Sequence, residues 1–305
     1  MPRGAGRQPV PGMFPVGTAG AGPVGTPGAT AGASGGTDPF GNPTGPARMI
    51  GDGIPRMGAM CLEPMVAFVI DGSGSMCEVF GTGTRWTELR KILLEPMNGL
   101  INRYENQVDF GMTLYDGTID FAAAGMATGG TPSPACAGLG GAGRNMGQCP
   151  QLIQAPPRRG NAAMISMMYP MRELGGSTPT DKAMNVAVDQ LIMANPGDPA
   201  KHPKFLILAT DGQPNDICTG GLGGDGVPQQ MAVVAAVERA FLAGIRTYVI
   251  SLANGDPVLE QHLTLVAQRG DQMNPAAHTY SPATPDALLA DMKILLGNAL
   301  GCAVM

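Results

Sequence analysis

Two short runs, MVAFVI from Met65 and KFLILAT from Lys204, are apolar on both of their faces. That is the requirement for central strands of a parallel sheet, which helices cover on both sides. VDFGMTLYD and IRTYVISLA read as further strands, and HTYSPA as a short last one. Amphipathic stretches stand between them. ELRKILLEPMNGLINRY predicts a helix that Pro96 bends or splits, and NAAMISMMYPMREL predicts one that Pro170 kinks or ends. PTDKAMNVAVDQLIMAN places Ala183, Ala187 and Leu191 on one face, with Thr178 as its N-cap. QQMAVVAAVERAFLAG is expected to end at Gly244, VLEQHLTLVAQRG at its own terminal glycine, and DALLADMKILLGNAL closes the fold. Residues 117–157 read as loop-rich, with a short strand near LIQA. Alternating strands and helices predict an α/β, doubly wound, mostly parallel central sheet flanked by helices.

Composition sets the boundaries. Gly and Pro supply roughly two in five of residues 1–58, which are expected to form a disordered linker. Residues 59–305 are expected to form the domain. A hydrophobic fraction of 44% supports a core there, and aromatics at 5% leave it to Val, Ile, Leu, Ala and Met. With a net charge of −5 and no basic stripe, nothing points to nucleic acid. No apolar run is long enough to span a bilayer, and MPRGAGRQPVPGMFPVG lacks the apolar segment of a signal peptide.

The chain has 6 cysteines and no CxxC spacing, so a zinc ribbon is not indicated. Cys61 and Cys302 bracket the folded part, Cys136 and Cys149 bracket a Gly-rich loop, and Cys77 and Cys218 each follow an acidic strand-end motif. Pairings Cys61–Cys302, Cys136–Cys149 and Cys77–Cys218 would imply an oxidising, extracytoplasmic compartment (secreted, periplasmic or surface-tethered). Buried free thiols in an intracellular protein are the alternative.

In open parallel sheets, ligands bind outside the carboxyl ends of the strands. Three stretches are expected at that edge: Asp71-Gly-Ser73-Gly-Ser75, the turn GGSTPT over 175–180, and Ala209-Thr210-Asp211-Gly212. Each has a plain reading as a turn or a cap. Together they offer two carboxylates and several hydroxyls. Oxygen-only donors suit Mg²⁺, Mn²⁺ or Ca²⁺ and argue against zinc or copper. Gly72 and Gly74 would let the chain turn around the ion, and the alternation in DxSxS would put its three side chains on one side of an extended loop. Other motifs fail on spacing. An EF-hand loop starting at Asp71 needs Gly and Glu where Met76 and Thr82 stand. A dinucleotide fingerprint from Gly72 needs glycine at Cys77. No P-loop occurs, and none of His202, His262 and His278 lies in a recognisable catalytic setting.

DxSxS after a first strand, a threonine on a second loop and an aspartate after a later strand resemble the metal-ion-dependent adhesion site of von Willebrand factor type A domains, the integrin I-like domains. The resemblance runs from about Cys61 to Cys302. It implies a Rossmann-like fold and a divalent cation, Mg²⁺ or else Mn²⁺ or Ca²⁺. Asp71, Ser73, Ser75, Thr178 and Asp211 would be its donors, with Thr180 as the alternative to Thr178. In the family the hydroxyls bind the ion directly, while the aspartates often act through water. The implied function is adhesion rather than catalysis: the cation bridges to an exposed carboxylate of a protein or extracellular-matrix ligand. An intracellular module recruiting partners in a chelatase or AAA-type assembly, and an enzyme of unassigned class, are the alternatives. The long stretch from about 117 to 157 and GLGGDGV after Cys218 depart from a compact member of the family.

Overall fold

The computed structural model describes residues 62–117, 150–171, 173–174, 177–194, 202–215, 226–253 and 255–301. The chain enters through β1 (Met65–Asp71), a 3-10 turn (Gly74–Cys77) and a small hairpin of β2 (Val79–Phe80) and β3 (Gly83–Thr84). α1 (Arg85–Leu94), α2 (Leu100–Tyr104), β4 (Asp109–Asp116), β5 (Gln151–Arg158), α3 (Ala162–Met168) and α4 (Thr180–Met193) follow. Then come β6 (Lys204–Thr210), α5 (Val227–Leu242), β7 (Ile245–Ser251), α6 (Pro257–Gly270), β8 (Thr279–Tyr280) and α7 (Pro285–Leu300).

The main sheet runs β5-β4-β1-β6-β7-β8. Only β5 is antiparallel to its neighbour; the other pairs are parallel. Alternate residues of β1 serve opposite cores, as a period of two requires. Val66, Phe68 and Ile70 pack with α1, α2, α3 and α7. Met65, Ala67 and Val69 pack with α4, α5 and α6. Every residue of β1 is buried, so its apolar run follows from helices on both sides. The one tryptophan, Trp86, is fully buried, packs against Tyr169 with ring centres 4.5 Å apart and planes tilted by 54°, and donates its indole N–H to Pro170 O at 2.9 Å.

The expected elements are present, with differences at several ends. Pro96 splits rather than bends its helix, and Asn102 Nδ2 donates to the freed carbonyls of Leu94 and Glu95 at 3.2 and 3.0 Å. β5 is a full edge strand rather than a short one near LIQA, and it contains Pro156 and Pro157. An edge strand tolerates residues that cannot donate. Gly111 lies opposite, where a Cβ would come within 2.6 Å of the Pro157 ring. α6 ends on Gly270 as expected, with Asp271 in the cap position. Thr178 does not cap α4, because the helix starts at Thr180 with Pro179 in the cap position. Cys77 is disulfide-bonded. The other five cysteines lie outside the described residues, and with them the three pairings Cys61–Cys302, Cys136–Cys149 and Cys77–Cys218. The same holds for residues 1–58.

Candidate metal centre

β1 lies between β4 and β6, so the chain leaves its carboxyl end toward one side and returns on the other. This is where the order of an open sheet reverses and a crevice opens. Asp71 is the last residue of β1, and Asp211 directly follows β6. Asp71 is fully buried. Its Oδ1 accepts from the Ser73 backbone N–H at 2.8 Å, and its Oδ2 from the Thr210 hydroxyl at 2.6 Å. Asp211 Oδ1 accepts from the Ser75 hydroxyl at 2.7 Å, and Oδ2 from Arg85 Nη1 at 2.6 Å. Ser73 Oγ and Ser75 Oγ lie 3.1 Å apart. A hydroxyl has one proton; with Ser75 donating to Asp211, Ser73 is the donor in that pair.

The loop is not extended throughout. Ser73 has extended backbone, but Ser75 sits inside the 3-10 turn, which brings its hydroxyl back onto Asp211. Gly72 serves close approach rather than a sharp turn: a Cβ there would meet the Leu174 side chain at 2.7 Å, and Leu174 N–H donates to Gly72 O at 2.9 Å. Thr178 is held by Asn215, whose N–H donates to Thr178 O at 2.9 Å and whose Oδ1 accepts from Thr178 N–H at 3.1 Å. A Cβ on Gly212 would lie 3.3 Å from Thr178 Oγ1 and 3.8 Å from Asp71 Oδ2, so both oxygens face a space that glycine leaves open. Thr180, by contrast, has its hydroxyl engaged with the buried Tyr115 Oη at 3.0 Å.

Burial, and then the neighbouring charge of Asp211, push the Asp71 carboxyl up to about 7. Burial also raises Asp211, against the downward pull of the Ser75 hydroxyl and the Arg85 guanidinium. Two carboxylates in one dry site resist ionising together unless positive charge joins them. The donors fit a hard dication: all are oxygen, and two are acidic.

The sequence did not reveal Thr210, Asn215 or Arg85 as members of the site. Thr210 adjoins Asp211 in the motif and could have been read from it. Arg85 could not, because it meets Asp211 across 126 positions.

The von Willebrand factor type A domain family model matches residues 160–291, a span that contains Thr178 and Asp211 and begins after Asp71, Ser73 and Ser75. Residues 160–291 are thus the part that matches a von Willebrand factor type A domain. No curated protein sequence matches it. Among solved structures, the type A fold here is similar to the pilus adhesin SpaC of Lactobacillus rhamnosus GG, at 16% identity and a TM-score of 0.50, over 78% of this chain and 30% of that one. It is also similar to the PilB minor pilin of Streptococcus sanguinis, at 15% identity and a TM-score of 0.50, over 80% of this chain and 63% of that one. The chain thus spans less than two thirds of either protein. Proximal thread matrix protein 1 of the mussel byssus, with a zinc-occupied adhesion site, aligns at 14% identity and a TM-score of 0.45, over 79% of this chain and 48% of that one. Among the described residues, no helix is long and apolar enough to cross a membrane.

Proposed function

We propose that the chain is a metal-dependent protein-binding domain. Asp71, Ser73, Ser75, Thr178 and Asp211 would hold a divalent cation, with Mg²⁺ as the first choice and Mn²⁺ or Ca²⁺ as the others. The observation that carries this reading is the hydroxyl relay from Ser73 through Ser75 to Asp211, which links donors 136 positions apart at the switch point of the sheet. The cation would supply attraction for one carboxylate oxygen of a protein or extracellular-matrix ligand. The chain's own part is to hold the donors: Thr210 and the Ser73 N–H fix Asp71, and Asn215 fixes Thr178.

The work proposed is coordination, not catalysis. His202 and His278 make their ring contacts with the carbonyls of Glu63 and Ala276, not with a hydroxyl of the site. An extracytoplasmic location, the domain limits at 59–305 behind a linker, and the pairings Cys61–Cys302, Cys136–Cys149 and Cys77–Cys218 belong to the same proposal. Calorimetric titration of the full chain with Mg²⁺ and Mn²⁺ tests its centre. Saturable binding that Asp71→Ala abolishes, with the circular dichroism spectrum unchanged, supports it. Equal binding by wild type and variant removes it. Mapping the cysteine pairs by mass spectrometry on protein from its own cell tests compartment and pairing together.

A further inference from the structure

Arg85 stands in an unusual place for a cation. It is 5% exposed, and its Nη1 donates to Asp211 Oδ2 at 2.6 Å and to Ser75 O at 3.3 Å. Its Nη2 contacts Glu78 Oε2 at 2.8 Å, and Glu78 has a half-exposed side chain. The Nε is buried with no hydrogen-bond partner. Arg85 is also the first residue of α1, where the helix dipole opposes positive charge. The start of α1 is fixed there by the Thr84 capping box: the Thr84 hydroxyl accepts from Thr87 N–H at 3.1 Å, and Thr84 N–H donates to Thr87 Oγ1 at 2.8 Å. The backbone therefore does not choose arginine. Asp211 and Glu78 must hold it.

An ordinary tie between α1 and the sheet would need only a polar side chain. A guanidinium on this oxygen does something more. It occupies one of the two oxygens of a carboxylate offered to a dication, and it places a positive charge beside that dication. Asp71 and Asp211 offer two negative charges when both are ionised, and Arg85 sets one positive charge against them with or without metal.

We propose that Arg85 is the built-in counter-charge of the site, a positioning residue that shares Asp211 with the cation and sets how tightly the cation is held. Glu78 takes part in this sharing from the solvent side: it holds Nη2 at 2.8 Å and so competes for the guanidinium charge, while Nη1 stays on Asp211 at 2.6 Å. The proposal rests on the metal-binding reading given above and names the residue that tunes it. Two consequences follow from the contacts. The donors stay assembled without metal because the carboxylates are partly neutralised. The cation binds less tightly than two buried aspartates would otherwise allow, because like charges oppose each other in a poorly solvated site.

The test measures Mg²⁺ and Mn²⁺ affinity of the full chain by calorimetry, and its melting temperature in EDTA and in excess Mg²⁺. Arg85→Met keeps much of the volume and removes the charge. It is expected to tighten cation binding about tenfold and to lower the melting temperature in EDTA more than in Mg²⁺. Arg85→Lys keeps the charge and is expected to stay near wild type in affinity. Should Arg85→Met not fold, Glu78→Gln serves alone: releasing Arg85 from its outer partner is expected to weaken cation binding several-fold. Arg85→Met binding the cation equally or more weakly, or an equal loss of melting temperature in both conditions, overturns the proposal and leaves an ordinary structural ion pair. For Glu78→Gln, unchanged or tighter binding does the same. If wild type itself takes up neither ion, the metal reading falls, and this proposal with it. If wild type binds and the variants do not differ, only this proposal falls.

Discussion

Two arginine–aspartate pairs with buried carboxylates lie at opposite ends of the parallel strands, and they are built differently. At the carboxyl end, both oxygens of Asp211 are taken, one by Arg85 at 2.6 Å and one by the Ser75 hydroxyl at 2.7 Å. At the amino end, Arg246 near the start of β7 stands 3.8 Å from Asp271, whose Oδ1 is buried with no hydrogen-bond partner. Burial raises both carboxyls despite their arginines. Only Asp211 is joined to hydroxyls that lead on to a second carboxylate. A buried ion pair is therefore not by itself a sign of a site; the converging neutral oxygens make the difference. They occur at the strand ends from which the βα loops depart.

Substitutions at the two ends should separate these roles. The largest effect is expected for Asp71→Ala, with cation affinity falling at least about a hundredfold and the fold retained, by calorimetry and circular dichroism. Asp211→Ala comes next. It leaves Arg85 buried without its main partner and should cost about 2–4 kcal/mol in EDTA, read from chemical denaturation, besides weakening cation binding. His262 on α6 belongs to neither pair. Burial lowers it to about 4 from an ordinary 6.5. The unfolded chain takes up the proton first as pH falls, so this part of stability is complete above about pH 6.5 and is lost toward pH 4. His262→Leu should flatten the melting temperature over that window, an effect of about 1–2 kcal/mol after allowing for solvent screening. The smallest effect is expected for Asp271→Asn: cation affinity unchanged, and stability altered by less than about 1 kcal/mol. A change in cation affinity there would erase the contrast between the two ends.

Much of this architecture was legible because burial on both faces leaves a plain trace. MVAFVI and KFLILAT became β1 and β6, and the acidic residues at their ends fell on the switch point. β5 was harder to see, because Pro156 and Pro157 conceal an edge strand. Thr178 was sought as a helix cap and instead turns out to be clasped by Asn215, a contact between distant loops that local rules do not contain. The bend of Ser75 into a 3-10 turn is equally invisible in an alternating motif. Arg85 was out of reach for the same reason: its charge is plain in the sequence, but its partner is chosen by the fold.

Trp86 follows Arg85 directly, sealed against Tyr169 and the Pro170 carbonyl. Since it is the chain's single indole, its intrinsic fluorescence comes from one place, the turn that carries the guanidinium. The protein therefore has a native optical probe one residue along the chain from Arg85, and its emission can be recorded without attaching a dye.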